Sequence, residues 1–233
     1  MPQIIRYCRL PYSFDSPLLA EEAITIAAAW IPHYNSYDYT GDWSGIPLRS
    51  PGGQINSMLA ESAVDFADTP HLEQSPAMRQ AIEMLPGAKM AARLLKLSRG
   101  AVIREHRDRE LAFEQGEIRL HIPLVTHPEV EFWLDGDRLN MLPGECWYIN
   151  ANLPHRLSNP SPVDRIHLVV DIRVDEAVKK VFGNIPANNK STKVATEDIE
   201  LKKRTISELL LNPDPRMQEL AKKLQQELAS GGS

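Results

Sequence analysis

Residues 89–174 decide the fold: KMAARLLKLSRGAVIREHRDRELAFEQGEIRLHIPLVTHPEVEFWLDGDRLNMLPGECWYINANLPHRLSNPSPVDRIHLVVDIRV. Short β-type runs succeed one another in it: KMAARLLKL, AVIREH, EIRLHIPLV, VEFWL, RLNML, ECWYIN, HRLSN and RIHLVVDIRV. Turn signals separate them at Arg99-Gly100, Asp135-Gly136 and Pro143-Gly144. Asp135-Gly136, between VEFWL and DRLNML, is a hairpin signal because both residue types accept positive φ. About eight short strands without intervening helices predict a sandwich or a jelly roll.

Working outward, the N-terminal side reads as helical. Ser16 is the expected cap, Pro17 fits the first helical position, and LLAEEAITIAAAW runs on until Pro32 stops it. HYNSYDYTGDWSGIPLRSPGG reads as a long loop with room for one short strand, from its Gly, Pro, Asn and Asp content. A second helix is expected from Pro76 to Leu85, capped by Ser75 and stopped by Pro86-Gly87. On the C-terminal side, the expected division is a jelly-roll domain with N-terminal helices over 1–182, a linker over 183–195 and a helical extension over 196–229. Thr196 is the expected cap of EDIELKKRTISELLL, and Asp214-Pro215 the start of a last helix. The stripe Ile199, Ile206, Leu209, Leu210 has helical spacing and suits packing on the barrel or dimer contact.

Composition narrows the function. A net charge of -5 gives no electrostatic reason to expect nucleic acid. No apolar run approaches the roughly 20 residues of a membrane span, and the N-terminus lacks the pattern of a signal peptide. Cys8 and Cys146 are far apart and unaccompanied, which argues against a disulfide framework and makes a reducing cytoplasm the expected setting.

The residues that carry chemistry are His106, Asp108 and His155. On an extended chain, positions two apart point the same way, so His106 and Asp108 can present an imidazole and a carboxylate to one point. His155 arrives from a later strand after Asn152-Leu153-Pro154. Two histidines and a carboxylate form the facial triad of non-haem iron oxygenases, leaving the opposite face of the metal open. Taken alone, His106-Arg107-Asp108 also fits a polar surface turn. Arg165 opens RIHLVVDIRV ten residues after His155. A guanidinium buried there needs an anion; it also fits an exposed strand start or a pair with Asp164 or Asp171. His-Arg-Asp opens the kinase catalytic loop as well, but Phe113 stands where that loop needs Asn, and no Gly-rich nucleotide loop is present.

The stretch from Arg104 to Asp175 resembles the aspartyl/asparaginyl β-hydroxylase family, which includes bacterial free-proline hydroxylases. REHRD resembles its first metal motif and RLHIPL its Arg-x-His strand. PGECWYINANLPHRLSNPSPVDRIHLVVDIRVDE resembles the second metal histidine and the closing Arg-led strand. Some vertebrate members lack the metal carboxylate; Asp108 makes the match closer to the bacterial ones. The resemblance implies a double-stranded β-helix, a cupin-like jelly-roll barrel, that uses Fe(II), 2-oxoglutarate and O2. It implies that His106, Asp108 and His155 bind iron, that Arg165 pairs with the distal carboxylate of 2-oxoglutarate, and that Arg119 and His121 contact the cosubstrate. The expected activity is hydroxylation of an unactivated C–H bond in a free amino acid such as proline, or in an aspartyl or asparaginyl side chain, with release of succinate and CO2. A different metal-dependent cupin enzyme and a non-catalytic ligand sensor are the alternatives.

Four further residues are candidates for substrate contact: Trp43 and Arg49 in the long loop, Arg104 by its parity with His106, and His167 by its shared face with Arg165. Each has a structural alternative: an anchoring tryptophan, a surface arginine, a salt bridge to Glu105 or Glu131, and a packed core histidine.

Overall fold

A computed structural model describes residues 3–35, 37–59, 64–108, 111–194, 206–207, 209–211 and 215–230. Its strands are β1 (Gln3–Ser13), β2 (Ile31–Pro32), β3 (Tyr39–Thr40), β4 (Trp43–Pro51), β5 (Phe66–Asp68), β6 (Ala88–Leu97), β7 (Val102–His106), β8 (Glu117–Val125), β9 (Glu131–Leu134), β10 (Asp137–Leu139), β11 (Glu145–Ile149), β12 (His155–Ser158), β13 (Arg165–Arg173) and β14 (Lys190–Val194). The helices are α1 (Ser16–Thr25), α2 (Pro70–Glu73), α3 (Pro76–Met84), α4 (Glu176–Gly183) and α5 (Pro215–Ser230). Residues 4–193 form one compact unit and residues 1–3 with 194–233 another; α5 lies in the second. Among the described residues, no helix is long and apolar enough to cross a membrane.

The larger unit is the expected double-stranded β-helix: mainly β, with flanking helices. Its major sheet runs β14-β1-β11-β8-β13-β6-β4-β2, with β5 on β4, and its minor sheet runs β10-β9-β12-β7-β3. The strand pairs whose register is known are antiparallel, and the two sheets are separate ladders rather than one closed barrel. All eight expected strands are present, and the Asp135-Gly136 turn has positive φ at both residues, 49° and 87°.

The period of two places the chemistry. The major sheet is covered on both faces, so its strands are buried throughout. One parity, Ala92, Leu94, Ile118, Leu120, Ile122, Leu168, Val170 and Ile172, packs in a core with Leu19, Ala23 and Ile82 of the helices. The other parity faces the minor sheet, where Leu97, Ile103, Phe132, Leu134, Ile149 and Leu157 form a second core. That second parity includes Arg93 on β6, Arg119 and His121 on β8, and Arg165, His167 and Asp171 on β13, all buried. Charge has been placed on the inner face of a central sheet, a position that packing alone would fill with apolar side chains.

Several local readings change. Residues 3–13, to which no element was assigned, form β1 on β11. The expected loop contains the nine-residue β4 in the major sheet. Its Gly45 is required by a close backbone approach: a Cβ there would meet the Met58 sulfur and, at 3.0 Å, the Leu94 carbonyl oxygen. A register shift between Pro47 and Arg49 accommodates the proline, which cannot donate to a ladder. The cap of α1 is Asp15, whose side chain accepts from the Leu18 N–H, and not Ser16, which is already helical. At α3, the Ser75 side chain makes no capping bond; instead the Glu22 carboxylate accepts from the N–H groups of Ala77 and Met78, both at 2.8 Å. The segment expected as a linker carries a 3-10 turn and β14. The cap at Thr196 and the start at Asp214 lie outside the described residues, as does Ile199.

Candidate active site

His106 ends β7 and His155 begins β12, and the two are direct partners in the β7–β12 ladder, with ring centroids 4.2 Å apart. Each ring is oriented by its own strand. His106 Nδ1 lies 2.8 Å from the Arg104 carbonyl oxygen, and His155 Nδ1 lies 3.0 Å from that of Leu153. An Nδ1–H donating to a carbonyl leaves the Nε2 lone pair for another partner, as a metal-binding histidine needs. Asp108 follows β7 and is anchored by its N–H on the Ala151 carbonyl at 2.9 Å. His106 Nε2 and Asp108 Oδ1 are 3.7 Å apart, and one ligand atom from each of His106, Asp108 and His155 fits within 4.8 Å of the others.

The electrostatics keep this cluster in the protonation state that a cation wants. Burial, with His106 beside it, brings His155 down to about 4, so its ring is neutral near pH 7. Burial would raise Asp108, but Arg119 and the two histidines outweigh it and hold the carboxyl below its ordinary range.

The triad opens into a cavity of about 390 Å³, also lined by Arg119, His121, Arg165, Phe132 and Trp43. Arg165 is 3% exposed. Among the described residues no carboxylate pairs with it: Asp171, one of the alternatives, binds Arg93 and Arg119 instead. Arg165 contacts His167 Nδ1 at 3.0 Å and lies 5.9 Å from the Phe132 ring centre. Burial alone brings it down to about 9, so an anionic ligand beside it would favour its charged form. His121 is buried with neither ring nitrogen hydrogen-bonded among the described residues. A cavity that, among the described residues, gives a buried guanidinium no carboxylate and an imidazole no hydrogen bond is built for a polar ligand.

The other sequence candidates divide. Trp43 lines the cavity and stacks on His33, ring centroids 3.4 Å apart. His167 sits behind Arg165 and orients it. Arg49 lies outside the cavity lining: it faces Asp68 in the β4–β5 ladder, bonds that carboxylate at 2.7 Å, and bonds the Phe66 and Lys89 carbonyls. Arg104 also lies outside the lining, with its guanidinium on the Tyr37 carbonyl at 2.8 Å. Sequence reasoning missed Arg93, Asp171 and His33. The first two share the inward parity of Arg119; His33 carried no signal, and the β2–β4 pairing brings it to the wall.

A jelly roll carrying two histidines and one carboxylate at its mouth is a cupin-type scaffold with a candidate mononuclear metal centre. Residues 16–174 match the aspartyl/asparaginyl beta-hydroxylase family, and the chain belongs to it. The L-proline cis-4-hydroxylase of Rhizobium meliloti (strain 1021) is 26% identical over 175 residues, covering 74% of this chain and 62% of that protein. The L-proline cis-3-hydroxylase 1 of Streptomyces sp is 29% identical over 152 residues, covering 62% of this chain and 52% of that protein. The chain therefore spans roughly half to three-fifths of the curated relatives it matches. Among solved structures, a Pseudomonas putida prolyl-4-hydroxylase aligns over 73% of this chain and 94% of its own, with a TM-score of 0.45 and 15% identity.

Proposed function

We propose that this protein is an Fe(II)- and 2-oxoglutarate-dependent dioxygenase that hydroxylates an unactivated C–H bond of an amino acid, releasing succinate and CO2. The observation that carries the reading is one cavity holding both the triad and a buried arginine that pairs with no carboxylate among the described residues. The donor set, two imidazole nitrogens and one carboxylate oxygen, fits ferrous ion and leaves coordination positions for other ligands. Arg165 fits the distal carboxylate of 2-oxoglutarate, to which a guanidinium can donate two parallel hydrogen bonds.

In this reading His106, Asp108 and His155 hold the iron. Bound iron and 2-oxoglutarate supply the activation of dioxygen. The chain itself binds, orients and shields. His167 fixes the Arg165 fork, His121 offers a ring nitrogen to the cosubstrate, and Phe132, Ile103 and Leu157 keep the cavity wall apolar. Trp43, backed by His33, forms the wall assigned to substrate. The named relatives favour a free amino acid such as proline over a peptidyl aspartyl or asparaginyl side chain. The free, buried Cys8 and Cys146 suit a reducing cytoplasmic setting.

The test is a mass-spectrometric screen of free amino acids and short peptides for the gain of one oxygen, with Fe(II), 2-oxoglutarate and ascorbate. The expected result is a product that requires both iron and cosubstrate and appears with stoichiometric succinate. No oxygenated product and no succinate from any substrate would refute the proposal.

A further inference from the structure

Resting on that reading of the site, we propose that His33 is a specificity-determining residue: its Nε2–H donates to an uncharged side-chain oxygen, hydroxyl or amide, of a free amino-acid substrate. His33 lines the same cavity as the triad. Its backbone N–H donates to the Trp43 carbonyl at 2.8 Å, one step beyond the β2–β4 ladder, which fixes where the side chain starts. The ring is then held between two others. Trp43 stacks on it with centroids 3.4 Å apart, and Tyr34 with centroids 4.5 Å apart. Two stacked rings that close cannot share one face, so one lies on each side, and the imidazole meets a ligand with its edge.

That edge has a defined chemistry. The Asn35 N–H donates to His33 Nδ1 at 3.3 Å, so Nδ1 presents the lone pair and Nε2 carries the proton. Burial, and then the charge of Arg93, bring the group down to about 3, and the ring is neutral near pH 7. Among the described residues Nε2 has no hydrogen-bond partner. A donor of fixed tautomer in a ligand cavity calls for an acceptor. An ammonium group, which only donates, does not satisfy it. A carboxylate has better partners, because Arg93, Arg119 and Arg165 line the same cavity and charge-assisted bonds are roughly twice as strong as neutral ones. The cosubstrate and the substrate's α-carboxylate are drawn to those guanidinium groups, which leaves His33 for an uncharged oxygen elsewhere in the substrate. An apolar side chain leaves the Nε2–H unmet, and a site built around a hydrogen bond discriminates against the analogue that lacks it. The selection separates this chain's substrate from L-proline itself, which has no side-chain oxygen.

The experiment is calorimetry on the full chain loaded with Mn(II) and 2-oxoglutarate, titrated with amino-acid pairs of similar shape: L-threonine and L-valine, L-asparagine and L-leucine, L-glutamine and L-methionine. L-Proline and L-glutamate are single arms. Wild type, His33→Phe and His33→Gln are compared, with folding checked by circular dichroism. Phenylalanine keeps the stack and loses the donor; glutamine restores an N–H. In the wild type the tightest ligand should be the oxygen-bearing member of a pair, at least about 5-fold tighter than its partner, as befits a neutral hydrogen bond whose donor is otherwise unmet. His33→Phe should erase that ratio without weakening the apolar partner, and His33→Gln should recover part of it. If His33→Phe does not fold, the wild-type ranking and His33→Gln decide. Equal weakening of both members of a pair overturns the inference, as does a tightest ligand that is L-proline, another apolar amino acid or L-glutamate, or the absence of binding by every hydroxyl- or amide-bearing member. Failure of the wild type to bind 2-oxoglutarate with Mn(II) overturns the proposed function and this inference with it; 2-oxoglutarate binding without the side-chain preference overturns this inference alone.

Discussion

His106 and His155 lie opposite each other in the β7–β12 ladder, each with its Nδ1 on the backbone carbonyl two residues before it. The centre is thus set by strand register and not by a mobile loop. A shift of one residue in this pairing would turn one imidazole to the other face of the sheet. His155→Ala should therefore abolish stoichiometric metal binding and lower turnover by at least about 100-fold, read by metal analysis and succinate release. The fold should survive, because β12 keeps its ladders to both β7 and β9.

Arg165→Met should separate stability from function. The guanidinium is buried and, among the described residues, meets no carboxylate, so replacing it with an apolar side chain removes a desolvated charge. In the ligand-free protein the thermal midpoint should be unchanged or raised. The wild type should gain a midpoint shift on adding 2-oxoglutarate with Mn(II), and the variant should not. A fall in the ligand-free midpoint of more than about 4 °C would show that Arg165 is structural.

Asp171 should dominate acid unfolding. Burial opposes its charge, but Arg119 and Arg93 outweigh that and bring it down to about 2, against about 3.9 in an unfolded chain. A depressed carboxyl contributes stability that is complete above the unfolded value and is lost as pH falls toward the folded one. Urea midpoints should thus fall steeply between pH about 4 and about 2. Asp171→Asn, which strands two arginines, should cost about 3–5 kcal/mol at pH 7 and flatten that slope.

Glu22→Ala tests the packing of the helices on the sheet. Its carboxylate caps two N–H groups at the start of α3 from a helix 55 residues away. Losing it should cost about 1 kcal/mol, measured by chemical denaturation, with metal affinity unchanged.

Much of this was legible in the sequence for a physical reason: strand alternation and turn chemistry are local. The eight strands from KMAARLLKL to RIHLVVDIRV announced themselves through period two and the Gly turns, and His106, Asp108 and His155 through their places on or directly after those strands. Pairing is non-local and was not legible. β1 lies against β11 from the far part of the chain. β4 was hidden by Gly45 and Pro47, residues that the bulge and the close approach to Met58 explain only once neighbours are known. Arg119 showed its inward parity, but its partner Asp171 is fixed by β8–β13 register. Arg49 looked free in a loop and is consumed by Asp68 on the next strand.

The most direct test of the central claim is a crystal structure grown anaerobically with Mn(II) and 2-oxoglutarate. The predicted result is a metal held by His106, Asp108 and His155, with the distal carboxylate of 2-oxoglutarate on Arg165. A metal bound elsewhere, or a cosubstrate that leaves Arg165 without an anion, would contradict it.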